Sequence, residues 1–249
     1  MDNTIIVRTA TADDTHYADT ITTEMAESAK ARGTGIAKRS PDYVKMKMEE
    51  GKAVIAITKD GTWVGFCYIE AWEHEKYVAN SGLIVSPPFR KTGVATEIKR
   101  KVFELSRKKY PDAKIFGLTT GLAVMKINSD LGYEPVTYSE LTTDEEFWKG
   151  CRSCVNFEIL MAKGRKNCMC TAMLFDPVEE AKKKAELAKT VVTPDGELEQ
   201  LKKREFKGNF KLFERWVRFK QFVLLKSWKK QQGDEGNKKS SFLSFLFFW

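Results

Sequence analysis

Apolar and polar positions recur with two periods along residues 5–137, and the switching between them outlines an α/β domain. Ile5-Ile6-Val7-Arg8 is a short strand-like run. Residues 15–30 carry helical spacing and stop at Arg32-Gly33-Thr34-Gly35. Pro41 opens a second helical stretch over 42–50. Residues 53–58 and 63–70 are apolar runs joined by Lys59-Asp60-Gly61-Thr62, whose Asp-Gly pair signals a hairpin. Residues 77–85 form the next strand, Pro87-Pro88 breaks it, and a long helix runs on from Thr96. After Pro111-Asp112 comes a further buried strand over 114–119, then a helix and Leu131-Gly132-Tyr133-Glu134-Pro135.

The turn before the long helix carries the strongest chemical signal. Arg90-Lys91-Thr92-Gly93-Val94-Ala95 connects the strand-like Ser81-Gly82-Leu83-Ile84-Val85 to the helix beginning at Thr96. A helix start presents unpaired N–H groups and the positive end of the helix dipole, which suits a phosphate. Gly93 lets the backbone approach closely, Ala95 adds little bulk, and Arg90 and Lys91 add charge. An ordinary strand-to-helix turn would look the same from the spacing alone.

Arg-x-x-Gly-x-Ala resembles the acyl-CoA pyrophosphate loop of the GNAT N-acetyltransferase family. The order of elements is similar too: a strand, two helices, three antiparallel strands, the CoA helix, a strand, a helix and a final strand. Gly132-Tyr133 stands where the family usually has Gly-Phe. The resemblance implies the α/β acyl-CoA N-acyltransferase fold, with a mixed, mostly antiparallel central sheet flanked by helices. It implies acetyl-CoA as co-substrate, held by Leu83, Ile84, Val85, Arg90, Lys91, Thr92, Gly93, Val94, Ala95 and Thr96, with a backbone N–H near 83–85 on the thioester carbonyl. It also implies acetyl transfer to a primary amine, which needs a base near the middle of the sheet. Glu70 and His74 are the candidates, with exposed loop charges as the alternative. Many members carry a tyrosine four residues before the Gly-Phe glycine, as acid for the departing thiolate. That position is Asn128, and a carboxamide can only hydrogen-bond.

The loop Ala31-Arg32-Gly33-Thr34-Gly35-Ile36-Ala37-Lys38-Arg39 sits where the family lines its acceptor site. Arg32, Lys38 and Arg39 could grip carboxylates, and Thr119 and Thr120 could face the same cleft. A carboxylate-bearing amino acid fits this better than a polyamine, and a solvated basic loop is the alternative. Residues 28–177 resemble bacterial GNAT proteins associated with arginine biosynthesis and proposed to acylate glutamate. That likeness runs through 33–39, through Gly117-Leu118-Thr119-Thr120-Gly121-Leu122-Ala123, and through the cysteine pairs. A protein or peptide N-acetyltransferase, and a non-catalytic acetyl-CoA-binding regulator, stay open.

The 249 residues suffice for one core plus appendages. No run reaches the roughly 20 apolar residues that cross a bilayer, and Met-Asp-Asn-Thr opens no basic stretch with an apolar region behind it, so no secretory signal is expected. The expectation is a cytoplasmic protein, with five cysteines in a reducing compartment. Cys151, Cys154, Cys168 and Cys170 pair as C-x2-C and C-x-C around a stretch at 155–161 that looks strand-like. They could close on a structural zinc, with neighbouring Lys and Arg favouring thiolates. They could equally stay reduced and unligated, or serve redox chemistry. The net charge of +8 lies almost wholly beyond residue 177. Residues 1–148 are expected to be the catalytic domain, 149–177 a Cys-rich extension and 178–235 a basic helical tail. The polar then apolar segment 236–249 is expected to be flexible. On a helical wheel, Phe210, Phe213, Trp216, Val217, Val223 and Leu224 share an apolar face opposite Lys and Arg. That face could pack on the domain, on a second copy in a homodimer, or on an anionic membrane surface. No motif for reading nucleic acid accompanies the charge, so none is expected as a partner.

Overall fold

The computed structural model describes residues 4–33 and 38–190. The chain divides into two units, Met1–Glu186 and Leu187–Trp249, and the fold below belongs to the first. The candidate helix at 210–228 and the apolar end at 241–249 lie outside the described residues.

Seven strands form one sheet in the order β1-β2-β3-β4-β5-β7-β6. They are β1 (Ile5–Thr9), β2 (Ala53–Thr58), β3 (Trp63–Trp72), β4 (Tyr77–Val85), β5 (Lys114–Thr119), β6 (Glu134–Val136) and β7 (Thr171–Phe175). Every pairing is antiparallel except β4 with β5. Apolar periodicity predicts β2, β4 and β5 residue for residue.

Helices cover both faces. On one, α1 (Ala18–Arg32) and α2 (Pro41–Glu49) bury Ile21, Met25, Val44 and Met48 against Ile55, Phe66 and Tyr68. Ser40 caps α2 by accepting from the Tyr43 N–H at 3.2 Å, with Pro41 in the first turn, where its missing N–H costs nothing. Gly33, at φ 57°, ends α1. On the other face lies α3 (Val94–Lys109), which buries Val94, Ile98 and Val102. Gly65 of β3 permits this close approach, since a Cβ there would stand 2.7 Å from Ile98 Cδ1 and 2.9 Å from the Ile84 carbonyl. The α4 helix (Leu122–Asp130) follows β5.

The segment after residue 148 differs from the expected extension. Thr171–Phe175 is buried throughout and inserts as β7 between β5 and β6, pairing Leu118 with Ala172 and Val136 with Ala172. The sheet is incomplete without it, so the boundary at 148/149 is not a division of the core. Residues 155–161 are also not a strand: α6 (Phe157–Ala162) forms there, with Leu160 buried and Val155, Ile159 and Met161 exposed. Together with α5 (Glu145–Lys149), α6 packs Trp148 and Leu160 into a second cluster with Tyr77, Phe116 and Leu174. The last described helix is α7 (Pro177–Thr190), at the start of the stretch expected to be a helical tail.

Candidate active site

The sheet opens at its centre. β4 and β5 pair only at Tyr77/Lys114, Val78/Ile115 and Ala79/Phe116, although β4 runs on to Val85 and β5 to Thr119. A bulge in β4 explains the parting. Phe66 pairs with Ile84 and Tyr68 with Ser81, so β4 carries one residue more than β3 across this step. Gly82 occupies the bulge at φ 66°, and a Cβ there would meet Tyr68 Cε1 at 2.3 Å. Only glycine satisfies both the backbone angle and the packing.

A cavity of about 260 Å³ passes through the gap, lined from one face by Arg39, Tyr68 and Glu70 and from the other by Lys99, Asn80 and Asn128. Period-2 alternation along β3 divides these groups, because Phe66 and Tyr68 face α1 and α2 while Cys67 faces α3.

On the first face Glu70 is 5% exposed. Its Oε1 accepts from Arg39 Nη2 at 3.1 Å and from the Tyr43 hydroxyl. Arg39 Nε donates to the Tyr68 hydroxyl at 3.0 Å, and its guanidinium lies 5.1 Å from the centre of the Tyr43 ring. Burial works against the Arg39 charge, but Tyr68, Glu70 and Tyr43 outweigh it and hold the guanidinium more firmly protonated than usual. Burial, then Glu70, raises the Tyr43 phenol well above its ordinary range. Burial lowers Lys47, whose ammonium sits 5.0 Å from the Tyr43 ring centre. The result is a fixed carboxylate whose Oε2 has no partner among the described residues, beside a guanidinium with donors to spare. Thr119 and Thr120 line the same cavity. Tyr43 and Tyr68 escaped the sequence reading, although Tyr68 stands two residues before Glu70 and therefore on its face of β3.

On the second face the Tyr133 hydroxyl donates to Asn80 Oδ1 at 2.8 Å, and Asn80 Nδ2 donates to Ser106 Oγ at 2.8 Å. Asn128 is 1% exposed; its Nδ2 reaches only Met173 Sδ at 3.8 Å, and its Oδ1 has no partner among the described residues. Lys99 is 2% exposed, with its ammonium 5.4 Å from the Tyr133 ring centre. Burial pushes the neighbouring Cys67 thiol up to about 11, so at pH 8 only about one molecule in 10³ carries its thiolate. An iodoacetamide pulse at pH 8, read by mass spectrometry of peptides, is expected to label Cys154 and Cys168, which are partly exposed, well before the fully buried Cys67; equal labelling would show that β3 opens readily.

The turn after β4 leads into α3, which lines the cavity through Lys99. Gly93 caps α3 at φ 90°, and nothing lies within 4 Å of where its Cβ would point. The Val94 and Ala95 N–H groups have no acceptor within the helix, while the Thr96 N–H donates to the Gly93 carbonyl at 2.9 Å. Arg90 is occupied elsewhere: it donates to the Val85 carbonyl at 3.0 Å, Glu24 Oε1 at 2.7 Å and Ser28 Oγ at 2.8 Å. It thus ties the turn to α1. The Thr92 hydroxyl donates to the Phe89 carbonyl at 2.7 Å, while Lys91 is exposed at φ 65°. Leu83 lines the cavity, and Ile84 and Val85 are buried beside it; Thr96 is exposed on the first turn of α3.

The four late cysteines all border the cavity, but the expected zinc site does not form. Among the described residues, no group of three or more His, Cys, Asp or Glu side chains could hold a metal ion. Nor do nearby bases favour a thiolate at Cys151: burial, followed by Cys154 and Cys168, pushes it up to about 11. Cys154 and Cys168 turn to local backbone, Cys154 Sγ accepting from the Asn156 N–H at 3.4 Å and Cys168 Sγ facing the Asn156 carbonyl at 3.8 Å.

Other candidates lie apart. His74 is exposed on the β3–β4 turn, where Glu73, His74 and Glu75 all have positive φ, and it does not line the cavity. The neighbouring Glu73 carboxylate instead accepts from the Thr143 N–H at 2.6 Å and the Thr142 hydroxyl at 2.8 Å. Lys38 is exposed, its N–H donating to Ser153 Oγ at 3.1 Å. The Arg32 side chain and residues 34–37 lie outside the described residues.

No helix among the described residues is long and apolar enough to cross a membrane. Comparison with known proteins gives the site its context. N-acetylglutamate synthase from Neisseria gonorrhoeae, solved with coenzyme A and N-acetyl-glutamate, aligns with a TM-score of 0.50 at 15% identity over 71% of this chain. The chain spans only 36% of that synthase. Rv2747 from Mycobacterium tuberculosis, solved with CoA, aligns at 16% identity and a TM-score of 0.49, covering 69% of this chain and 98% of that one. At such identities the likeness concerns fold alone. No curated protein matches at the sequence level. The model of the Acetyltransferase (GNAT) family matches residues 22–123, the stretch from α1 through β5 that contains the opened strands and the glycine-capped helix. Residues 22–123 therefore match an acetyltransferase domain of the GNAT family.

Proposed function

We propose that this domain moves the acetyl group of acetyl-CoA to the primary amine of a carboxylate-bearing amino acid, with glutamate as the leading acceptor. The observation that carries the reading is the cavity through the sheet, which Lys99 of the glycine-capped α3 lines from one face and the buried Glu70–Arg39 pair from the other. The open N–H groups of the first α3 turn suit a pyrophosphate, and the space left by Gly93 admits it. Backbone of β4 beyond Ala79, unpaired with β5, can hold the pantetheine arm and the thioester carbonyl. At about 260 Å³ the cavity has room for an amino acid and the reacting end of the thioester, and the nucleotide stays outside.

Glu70 Oε2 then takes the proton that the acceptor's ammonium must lose, directly or through water. The remaining Arg39 donors and the Thr119 and Thr120 hydroxyls meet the acceptor's carboxylates. Glutamate as acceptor would place the protein in arginine biosynthesis.

Thiol release from acetyl-CoA against the twenty amino acids tests this. Turnover is expected with glutamate and loss of it in Gly93→Trp, whose side chain would fill the phosphate space from a backbone angle that only glycine adopts easily. Turnover on peptides but on no free amino acid would overturn the small-acceptor reading. Acetyl-CoA binding with no turnover on any amine would favour a regulatory protein, the outcome that Asn128 in place of a phenol makes worth scoring.

A further inference from the structure

We propose that Lys99 is the acid that meets the departing CoA sulfur, its ammonium facing the gap between β4 and β5 from the α3 side. This rests on the acetyl-transfer reading above. When the acceptor nitrogen bonds to the acetyl carbon and the C–S bond breaks, the sulfur leaves with the electron pair and needs a proton. The carboxamide of Asn128 has none to give. The Tyr133 hydroxyl, the other phenol on this face, is committed to Asn80 at 2.8 Å and buried so deeply that it holds its proton well above pH 10. Tyr68, Tyr138 and the late cysteines reach the cavity from the opposite face, with Tyr68 facing α1 and α2 and Tyr138 packed beside Trp148 of α5. Among the titratable groups lining the cavity, Lys99 alone comes from α3.

Its surroundings make no sense as structural support. Lys99 lies on the buried stripe of α3, at the same helical face as Val102 and Ser106. No carboxylate pairs with it among the described residues. The groups facing it are the Tyr133 ring and the Cys67 thiol, which stays neutral. A cation over an aromatic face recovers only part of what burying an ammonium costs. An apolar residue would serve packing better, so the charge is retained against stability. Burial also lowers the Lys99 ammonium from its ordinary value, towards that of the thiol it would protonate. The proton balance closes: Lys99 gives one proton to sulfur and regains, through solvent, the one that the acceptor amine releases.

Lys99→Met separates this from a packing role. We expect kcat with the preferred acceptor to fall about 100-fold at a nearly unchanged KM for acetyl-CoA, while the melting temperature rises because a buried charge is gone. The direct readout is the pH profile of kcat. In the wild type kcat should fall at high pH as Lys99 loses the proton it must give, and Lys99→Met should remove that limb while keeping the low-pH limb. The same high-pH limb in both proteins, or a melting temperature that falls with kcat, would overturn the assignment while leaving acetyl transfer intact. Failure of either protein to bind CoA would instead overturn the acetyl-transfer reading, and the assignment with it.

Discussion

Glu70→Gln lowers kcat for the amino-acid acceptor by about 10²–10⁴-fold, the usual worth of a positioned base. The substitution keeps the shape of the side chain and an oxygen able to accept from Tyr43 and Arg39, so those bonds can survive. It removes the charge that draws the acceptor's ammonium and the site that takes its proton. It also leaves the Arg39 guanidinium, 19% exposed, without its counter-charge. Stability should fall as well, since an unpaired half-buried charge is costly. Rates are therefore to be taken well below the melting temperature of the variant. A variant that retains more than a tenth of wild-type kcat would remove Glu70 from the chemistry and leave it as a strut for Arg39.

Gly82→Ala is expected to be the most damaging single methyl in the domain. The added carbon would stand 2.3 Å from Cε1 and 2.9 Å from Cδ1 of Tyr68, and 3.0 Å from Met25 Cε. Tyr68 is buried and bonded to Arg39, so its ring cannot swing aside without breaking the Glu70 network. Overpacking of this kind costs roughly 1–3 kcal/mol, and a left-handed residue with a Cβ roughly 1–2 kcal/mol more. About 3 kcal/mol is a large part of the 5–15 kcal/mol that holds a typical domain together. Urea unfolding should show a midpoint well below that of the wild type. The fraction that still folds should have lost acetyl-CoA binding, because the bulge that parts β4 from β5 is set by Gly82. A shift under about 1 kcal/mol would mean that the bulge can relocate.

Much of this was legible in residue order. The hairpin at Asp60-Gly61, Pro41 at the start of α2, and the glycine-led turn into α3 follow from local chemistry, and each formed where expected. Glu70 and Arg39 were named separately; that they touch depends on α2 lying across β3, which no local pattern encodes. Thr171–Phe175 was missed as a central strand because it follows the cysteine pair directly, and five buried residues carry no alternation to mark a strand. The stretch 155–161 misled for the opposite reason: it is largely apolar, yet only Leu160 of its seven residues is buried. Lys99 was readable in principle. Ala95, Lys99, Val102 and Ser106 are spaced four, three and four residues apart, which puts a lysine on a buried helical stripe. Arg90 was read as a phosphate ligand because its neighbours suggest one; its bonds to Glu24 and Ser28 arise from a helix more than sixty residues earlier.

The measurement that bears most directly on the account follows the acetyl carbon itself. Acetyl-CoA labelled with ¹³C in the acetyl group is mixed with the protein and glutamate and followed by NMR. The account predicts that the label moves from thioester to amide, giving N-acetylglutamate and free CoA in equal amounts. Label that stays on CoA while acetyl-CoA is bound, or that appears only as acetate, would contradict it.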